Sequence, residues 1–262
     1  MQRFQELVDV VKRLRGPGGC PWDREQTPRT LRPYVVEEAY EVVDAIDTGA
    51  PEALKDELGD LLLQVVLHAE IASESAAFTI DDVVAGLIAK MIRRHPHVFA
   101  DTVVADAGEV VRNWTRIKAE ERRAAAPDAP PSALGTLPPE LPALHAAART
   151  GEKAARVGFD WPDPAGALAK AREELDELAE ALASGNAARV EHELGDALFA
   201  LASVGRLADQ NPEMALRAAL ARFGARFRRV EAALRARGRD VHDAAPAELD
   251  ALWNEAKKGE ER

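Results

Sequence analysis

The chain has 262 residues, of which 47% are hydrophobic and 30% are charged, which is typical of a globular protein and excludes a disordered one. Acids outnumber bases by 45 to 34, and the net charge of −11 argues against binding a nucleic acid polymer by general attraction. Cys20 is the single cysteine, so an intramolecular disulfide is excluded and a reducing compartment is expected.

The N-terminal segment MQRFQELVDVVKRLRG has the spacing of an amphipathic helix and lacks the apolar core of a signal peptide. No apolar run of the chain approaches the roughly 20 residues that a bilayer-spanning helix needs. We therefore expect a cytoplasmic protein without a membrane partner.

Apolar residues recur with helical periodicity along most of the chain, whereas strand-like alternation is scarce, and this pattern predicts an all-α fold. Thr27, Asp163 and Asn211 each precede a proline, which is the order of a capping side chain before proline at the first helical position. Thr79, followed three residues later by Asp82, resembles a capping box with Asp in place of Glu. These residues predict where four helices begin.

Residues 124–142, AAAPDAPPSALGTLPPELP, hold six of the sixteen prolines of the chain. Such a composition favours an extended linker over a helix. It predicts an N-terminal helical domain at 1–123 and a C-terminal helical domain at 143–262.

The two halves repeat one acidic pattern, E-E-x-x-E followed by E-L-G-D, at a constant offset of 136 residues. The repeated acids are Glu37, Glu38, Glu41, Glu57 and Asp60 in the first half, and Glu173, Glu174, Glu177, Glu193 and Asp196 in the second half. Further matches in the same order are Lys90 and Arg94 with Arg222 and Arg226, and Trp114 and Lys118 with Trp253 and Lys257. So many matches in one order indicate a duplication.

The segment from Glu57 to His68 is apolar nearly all round, and its counterpart from Glu193 to Val204 has the same character. A helix of this kind is expected to be buried, which would place its acids in or beside the core. An unpaired carboxylate is costly there, so the acids call for a partner.

A short turn before each of these segments predicts an antiparallel helix pair, with Glu38 and Glu41 facing Glu57 and Asp60. Converging carboxylates repel each other unless a cation joins them, and a hard divalent cation with oxygen ligands such as Mg²⁺ suits the set. The alternative is that lysines or arginines neutralise the cluster. A di-iron centre is not favoured, because no histidine has a glutamate three residues before it.

These motifs, with GCPWDREQT at 19–27, RRHPHVFAD at 93–101 and VGFDW at 157–161, resemble the bacterial two-domain members of the MazG family of nucleoside triphosphate pyrophosphohydrolases. The resemblance covers nearly the whole chain. It implies two tandem helical-bundle domains of the all-α NTP pyrophosphatase type and a homodimer. It also implies hydrolysis of ribo- and deoxyribonucleoside triphosphates at the α-phosphate, giving monophosphate and pyrophosphate with Mg²⁺, for which Mn²⁺ is a possible substitute.

The resemblance also assigns roles to residues. As metal ligands it implies Glu174, Glu177, Glu193 and Asp196 in the second domain, and Glu38, Glu41, Glu57 and Asp60 in the first. Glu173 and Glu37 match the first glutamate of the signature, and their implied catalytic role is a second metal site or orientation of the attacking water. For the triphosphate it implies Lys170, Arg222, Arg226 and Trp253, with Lys90 and Arg94 in the first domain.

Two departures and two alternatives accompany this assignment. Arg222 stands where the family often has lysine, which keeps the charge but changes the hydrogen-bonding geometry. Tyr34 stands at the first-domain position that matches Lys170, so the second domain is the expected catalytic one. One alternative is a pyrophosphatase with narrow specificity, for example for dUTP, dCTP or a modified base. The other is a non-enzymatic helical scaffold whose acids bind a basic partner.

Overall fold

The computed structural model describes residues 2–125 and 132–258, and within these ranges it contains helices and no strand, which confirms the predicted all-α fold. No described helix is both long and apolar enough to cross a membrane. The helices before the gap are α1 Gln2–Arg15, α2 Pro21–Glu25, α3 Pro28–Thr48, α4 Pro51–Glu74, α5 Ile80–Arg94, α6 Pro96–Phe99 and α7 Ala107–Ala125. Those after it are α8 Ala143–Ala155, α9 Pro164–Ser184, α10 Ala187–Leu207, α11 Pro212–Arg235, a 3-10 turn Val241–Asp243 and α12 Pro246–Lys258.

The chain divides into two compact units, Met1–Asp128 and Ala129–Arg262. Each unit holds one copy of the duplicated pattern, so a tandem arrangement of two helical domains is confirmed. The predicted boundaries at 123 and 143 stay predictions. Residues 126–131 of the predicted proline-rich linker lie outside the described residues.

All four predicted helix starts are confirmed by side-chain caps. The Thr27 hydroxyl accepts a hydrogen bond from the backbone N–H of Thr30, and the Asp163 carboxylate accepts one from that of Gly166. The Asn211 side chain accepts hydrogen bonds from the backbone N–H groups of Glu213 and Met214. Thr79 forms the predicted capping box, because the Asp82 carboxylate accepts the N–H of Thr79 at 2.8 Å. Each cap satisfies a backbone donor that the helix itself leaves free.

The central element of each unit is a pair of antiparallel helices, α3 with α4 and α9 with α10. Gly49 and Gly185 end the first helix of each pair with φ of +67°, the left-handed conformation that glycine adopts at low cost. These two glycines lie 136 residues apart, the same offset as the acidic motifs. The turns at 49–50 and 185–186 therefore set the same register in both pairs.

The two units fill their interiors with different residues. In the first, α1 packs on α4 around the buried side chains of Val11, Leu31, Val66 and Leu67. In the second, the pair of α9 and α10 packs through small side chains, which let two helix backbones approach closely. The buried alanines of this pair are Ala167, Ala171 and Ala181 on α9, and Ala197, Ala200 and Ala202 on α10.

In each unit an arginine–carboxylate pair joins the second paired helix to a segment that precedes the helix pair. In the first, Arg15 donates to both carboxylate oxygens of Glu74 on α4, at 2.6 and 2.8 Å. In the second unit the paired helix supplies the arginine instead of the carboxylate: Arg206 on α10 donates to both carboxylate oxygens of Asp160 in the loop before α9. Two-bond pairs of this kind fix orientation as well as distance.

The predicted burial of α4 and α10 on all sides is wrong for a single copy of the chain. About half of the surface of several of their apolar side chains is exposed: Leu58, Leu62 and Val65 on α4, and Leu194, Leu198 and Leu201 on α10. The reason is that the helices packed against each of them leave one apolar side uncovered. The glycines of the two E-L-G-D motifs, Gly59 and Gly195, have open space where a Cβ would stand.

Candidate active site

The acids of the first domain meet across the α3–α4 pair. One carboxylate oxygen from each of Glu38, Glu57 and Asp60 lies within 4.8 Å of the other two. Burial raises the pKa of Glu38, and the neighbouring charges of Asp60 and Glu41 raise it further. The pKa of Glu57 is raised too, first by burial and then by Glu41 and Asp60. The four predicted ligands are therefore close enough for their negative charges to repel one another.

The second domain builds the matching cluster from α9 and α10. One carboxylate oxygen from each of Glu174, Glu177 and Glu193 lies within 4.8 Å of the other two. Glu174 and Glu193 are buried, at 7% and 8% exposure. Burial and the charges of Glu174 and Glu193 raise the pKa of Glu177. Asp196, the fourth predicted ligand, is exposed and lies in an adjoining group with His192 and Glu193.

Lys170 lies at the edge of the second cluster. Its Nζ is 2.7 Å from a carboxylate oxygen of Glu173 and 2.7 Å from one of Glu174. These bonds raise the pKa of Lys170, and the bond to Lys170 lowers that of Glu174. Arg189 also reaches this cluster, with its Nε 3.5 Å from Glu193. The alternative of neutralisation by cations is thus realised in part.

The first domain lacks this lysine, and Tyr34 at the matching position contacts the Trp22 ring edge-on at 6.0 Å. Its cluster contains instead the amide of Gln64, a buried side chain that favours the charged form of Glu38 and so opposes the rise in its pKa. Among the described residues, Oε1 of Gln64 finds no hydrogen-bond partner. At the position of Gln64 the second domain has Ala200. The two clusters therefore share their carboxylates and differ in what surrounds them.

The other predicted substrate-binding residues form a second group in each domain. In the second domain, the Cζ of Arg226 lies 6.0 Å from the centroid of the Trp253 ring, and the Phe223 ring packs on the same tryptophan at 4.9 Å. Arg222, one turn earlier on α11, is exposed. Arg226 thus contacts α12, and Lys170 is paired with a carboxylate of the second cluster.

The first domain has the same arginine–tryptophan arrangement. The Cζ of Arg94 lies 5.5 Å from the centroid of the Trp114 ring, and the Nζ of Lys118 lies 4.4 Å from it. Glu121 binds Arg94 at 2.6 Å and Arg93 at 2.6 Å, and the two arginines lower its pKa to about 2. Lys90, also on α5, is partly buried. The duplication is thus visible in the geometry as well as in the sequence.

The remaining predicted catalytic residues, Glu37 and Glu173, both lie on the exposed side of their helices, and Glu173 is held by Lys170. Sequence reasoning missed His192, because it looked for glutamate three residues before a histidine. The signal that was available is the spacing of His192 and Asp196, one turn apart on α10 and next to Glu193.

The chemistry of the donor set fits a hard divalent cation. Mg²⁺ binds oxygen ligands at about 2.1 Å, so its ligands lie at most about 4.2 Å apart. The oxygens of each cluster lie within 4.8 Å of one another, so shifts of a few tenths of an ångström in each side chain would bring them to the separation that Mg²⁺ requires. Glu174, Glu177 and Glu193 would hold such an ion in the second domain, and Glu38, Glu57 and Asp60 in the first.

Comparison with known proteins decides what these clusters belong to. The MazG nucleotide pyrophosphohydrolase domain matches the chain twice, at residues 26–99 and 164–232. The chain belongs to the MazG family. Both matched segments contain a complete set of the repeated carboxylates, and the expected enzyme class, a pyrophosphohydrolase acting on nucleotides, is confirmed.

Similarity to individual MazG relatives extends over the full length. The nucleoside triphosphate pyrophosphohydrolase/pyrophosphatase MazG of Thermotoga maritima is 44% identical over 258 residues, which cover 98% of this chain and 97% of the relative. A nucleoside triphosphate pyrophosphohydrolase of Escherichia coli K12 is 40% identical over 99% of both chains. The uncharacterized protein YabN of Bacillus subtilis is 42% identical over 99% of this chain and 52% of its own length.

Proposed function

We propose that the chain hydrolyses ribo- and deoxyribonucleoside triphosphates to nucleoside monophosphate and pyrophosphate with Mg²⁺, and so removes unwanted nucleotides from the cell. The observation that carries the proposal is the convergence of Glu174, Glu177 and Glu193 beside Lys170, in a chain that carries the MazG domain twice. The burial of Glu174 and Glu193 argues against a scaffold, which would present its acids to solvent.

The second-domain residues divide the chemistry among them. Glu174, Glu177, Glu193 and Asp196 would hold the metal, which neutralises charge on the phosphate oxygens and makes a bound water more acidic. Glu173 lies at the edge of this cluster and would orient the attacking water and accept its proton. Lys170 sits between Glu173 and Glu174 and can exchange one of these carboxylates for a phosphate oxygen when the substrate enters.

The leaving pyrophosphate needs cations of its own. Arg222 and Arg226 lie one turn apart on α11, and a guanidinium binds phosphate oxygens through two parallel hydrogen bonds. Trp253 packs against Arg226 and would hold its side chain in place or stack on the base. This group would bind the end of the substrate that the metal does not reach.

The second domain is the proposed catalytic one. In the first domain Tyr34 replaces the lysine at the cluster, and Arg94 is already bound by Glu121. The arginine that would bind a triphosphate there must first give up a two-bond pair. The first site is therefore less suited to a triphosphate, although its carboxylates converge in the same way.

The chain is proposed to act as a homodimer in the cytoplasm. The uncovered apolar sides of α4 and α10 occur at matching places in both units, and a second copy would cover them. The single cysteine and the nucleotide substrate agree with a reducing compartment. Neither a nucleic acid polymer nor a membrane is expected as a partner, given the net charge of −11.

Product analysis tests the reaction. The full chain would be incubated with each of the eight common nucleoside triphosphates, with Mg²⁺ or with EDTA, in water enriched in ¹⁸O. We expect monophosphate and pyrophosphate, metal dependence, and the ¹⁸O label in the monophosphate, because attack at the α-phosphate leaves it there. Release of nucleoside diphosphate and inorganic phosphate, or no hydrolysis of any nucleotide by the folded chain, would overturn the proposal.

A further inference from the structure

His192 lies on the same turn of α10 as two predicted metal ligands. Its imidazole Nε2 is 3.4 Å from Oδ2 of Asp196, four residues further along, so both side chains project to one side of the helix. One ligand atom from each of His192, Glu193 and Asp196 lies within 4.8 Å of the other two. The turn therefore offers one nitrogen and two oxygen donors to a cation.

Glu193 belongs to two donor groups. With Glu174 and Glu177 it forms a group of oxygens only, and with His192 and Asp196 it forms the mixed group. A carboxylate has two oxygens and can serve both groups. The two groups also have different chemical preferences: oxygens alone suit Mg²⁺ and Mn²⁺, whereas imidazole favours later transition metals such as Co²⁺, Cu²⁺ or Zn²⁺.

The cation that competes for Glu193 is Arg189. Its Nε is 3.5 Å from Glu193, at the long end of hydrogen-bond distance, while its Nη2 is 3.2 Å from Glu180. Arg189 is partly exposed and keeps Glu180 as a partner if Glu193 turns to a metal. The pairing of Glu193 with Arg189 is thus weak enough to be displaced.

The first domain supplies a natural comparison. At the position that matches His192 it has Asp56, next to Glu57, and its cluster of Glu38, Glu57 and Asp60 contains oxygens only. A nitrogen donor therefore distinguishes the second cluster from the first.

We propose that His192, Glu193 and Asp196 bind a transition-metal ion such as Co²⁺ or Cu²⁺, beside an Mg²⁺ position of Glu174 and Glu177 that shares the carboxylates of Glu193 and Asp196 with it. The inference deepens the proposed function and rests on its second-domain metal site. It predicts that the second domain binds two chemically different cations, whereas the first binds only hard ones. His192 then sets the metal preference of the catalytic domain.

Pulsed electron paramagnetic resonance of one equivalent of bound Cu²⁺ tests this directly, because an imidazole ligand gives a ¹⁴N modulation that carboxylates do not. The samples would be the full-length wild type, His192→Asp, His192→Asp combined with Asp56→His, and His242→Gln as a control on an exposed histidine. We expect modulation in the wild type and in His242→Gln, its loss in His192→Asp, and its return in the double variant. Co²⁺ affinity should fall by at least about tenfold in His192→Asp.

Two results would overturn the inference: bound Cu²⁺ without ¹⁴N modulation in the wild type, or modulation that persists in folded His192→Asp. Circular dichroism establishes folding, and His192→Gln provides a second variant if His192→Asp does not fold. Pyrophosphate release with Mg²⁺ is measured on the same samples. A wild type that shows the modulation but hydrolyses no nucleotide would contradict the proposed function, whereas the assignment of His192 as a metal ligand would still hold.

Discussion

The Nζ of Lys170 lies 2.7 Å from a carboxylate oxygen of Glu174, the buried acid at the centre of the second cluster. This contact distinguishes the two domains, since the first has Tyr34 in the place of the lysine. It also gives the lysine two opposed effects: it neutralises charge that would otherwise attract a metal, and it offers a cation to a phosphate.

We expect Lys170→Gln to separate these effects. Losing a charged hydrogen bond to phosphate costs about 1.5–3 kcal/mol, so kcat/KM for nucleoside triphosphates should fall roughly 10- to 100-fold. Mg²⁺ affinity should rise, because the cluster loses a competing cation. Steady-state kinetics and calorimetric Mg²⁺ titration measure the two quantities, and Lys55→Gln, an exposed lysine paired with Glu52, is the matched control. Unchanged kinetics in Lys170→Gln would contradict the assignment.

The pair of Glu121 and Arg94 predicts how acid affects the first domain. Arg94 and Arg93 lower the pKa of Glu121 from its ordinary 4.5 to about 2 in the folded chain. The unfolded chain therefore takes up a proton at Glu121 before the folded chain does. The stabilising contribution of this carboxylate is complete above about pH 4.5 and is lost as the pH falls toward 2.

Glu121→Gln should therefore be less stable than the wild type at pH 6, and the difference should shrink between pH 4.5 and 3. Denaturant unfolding followed by circular dichroism at each pH gives the free energies. Glu120→Gln is the control, since the pair of Glu120 with Arg116 on the same helix is exposed. A difference between Glu121→Gln and the wild type that grows as the pH falls would show that the sign is wrong.

Gly151 makes room for the arginine that holds the loop before α9. A Cβ at this position would lie 2.8 Å from Nε of Arg206, which is too close, so in Gly151→Ala the Arg206 side chain must shift and its pair with Asp160 is strained. After the gain of about 1 kcal/mol from alanine in a helix, we expect a net loss of up to about 2 kcal/mol in the free energy of unfolding. Gly195→Ala has open space at its Cβ and should be neutral or more stable by up to about 1 kcal/mol in a monomer. Urea unfolding compares the two, and equal stability would refute the packing argument.

The uncovered side of α10 predicts a homodimer. A charge at Leu198, which is about half exposed in a single copy, would oppose burial against a second copy, so Leu198→Glu should shift the chain toward the monomer. Sedimentation velocity measures the mass. Val103→Glu, at an exposed loop position, should leave it unchanged. A wild type that sediments as a monomer at micromolar concentration would contradict the dimer.

The features that sequence reasoning found are local ones. A cap such as Thr79 with Asp82 depends on residues within one helix turn of each other. The meeting of Glu174 with Glu193 follows from two helices joined by a short turn, and the repeat of the same motif in the first half supports it. The pair of Arg206 and Asp160 joins residues 46 apart, and no spacing rule reveals it. The exposure of Leu58 was mispredicted because the apolar character of a helix does not reveal how many other helices pack against it.

The most direct test of the account is pyrophosphate release by Glu193→Gln and Glu57→Gln, the matching variants of the two clusters. Glu193 is buried and shared by both donor groups of the second domain, and Glu57 holds the equivalent place in the first. We predict Mg²⁺-dependent release by the wild type and by Glu57→Gln, and a loss of at least about 100-fold in Glu193→Gln. Release at the wild-type rate by a folded Glu193→Gln would contradict a catalytic site in the second domain.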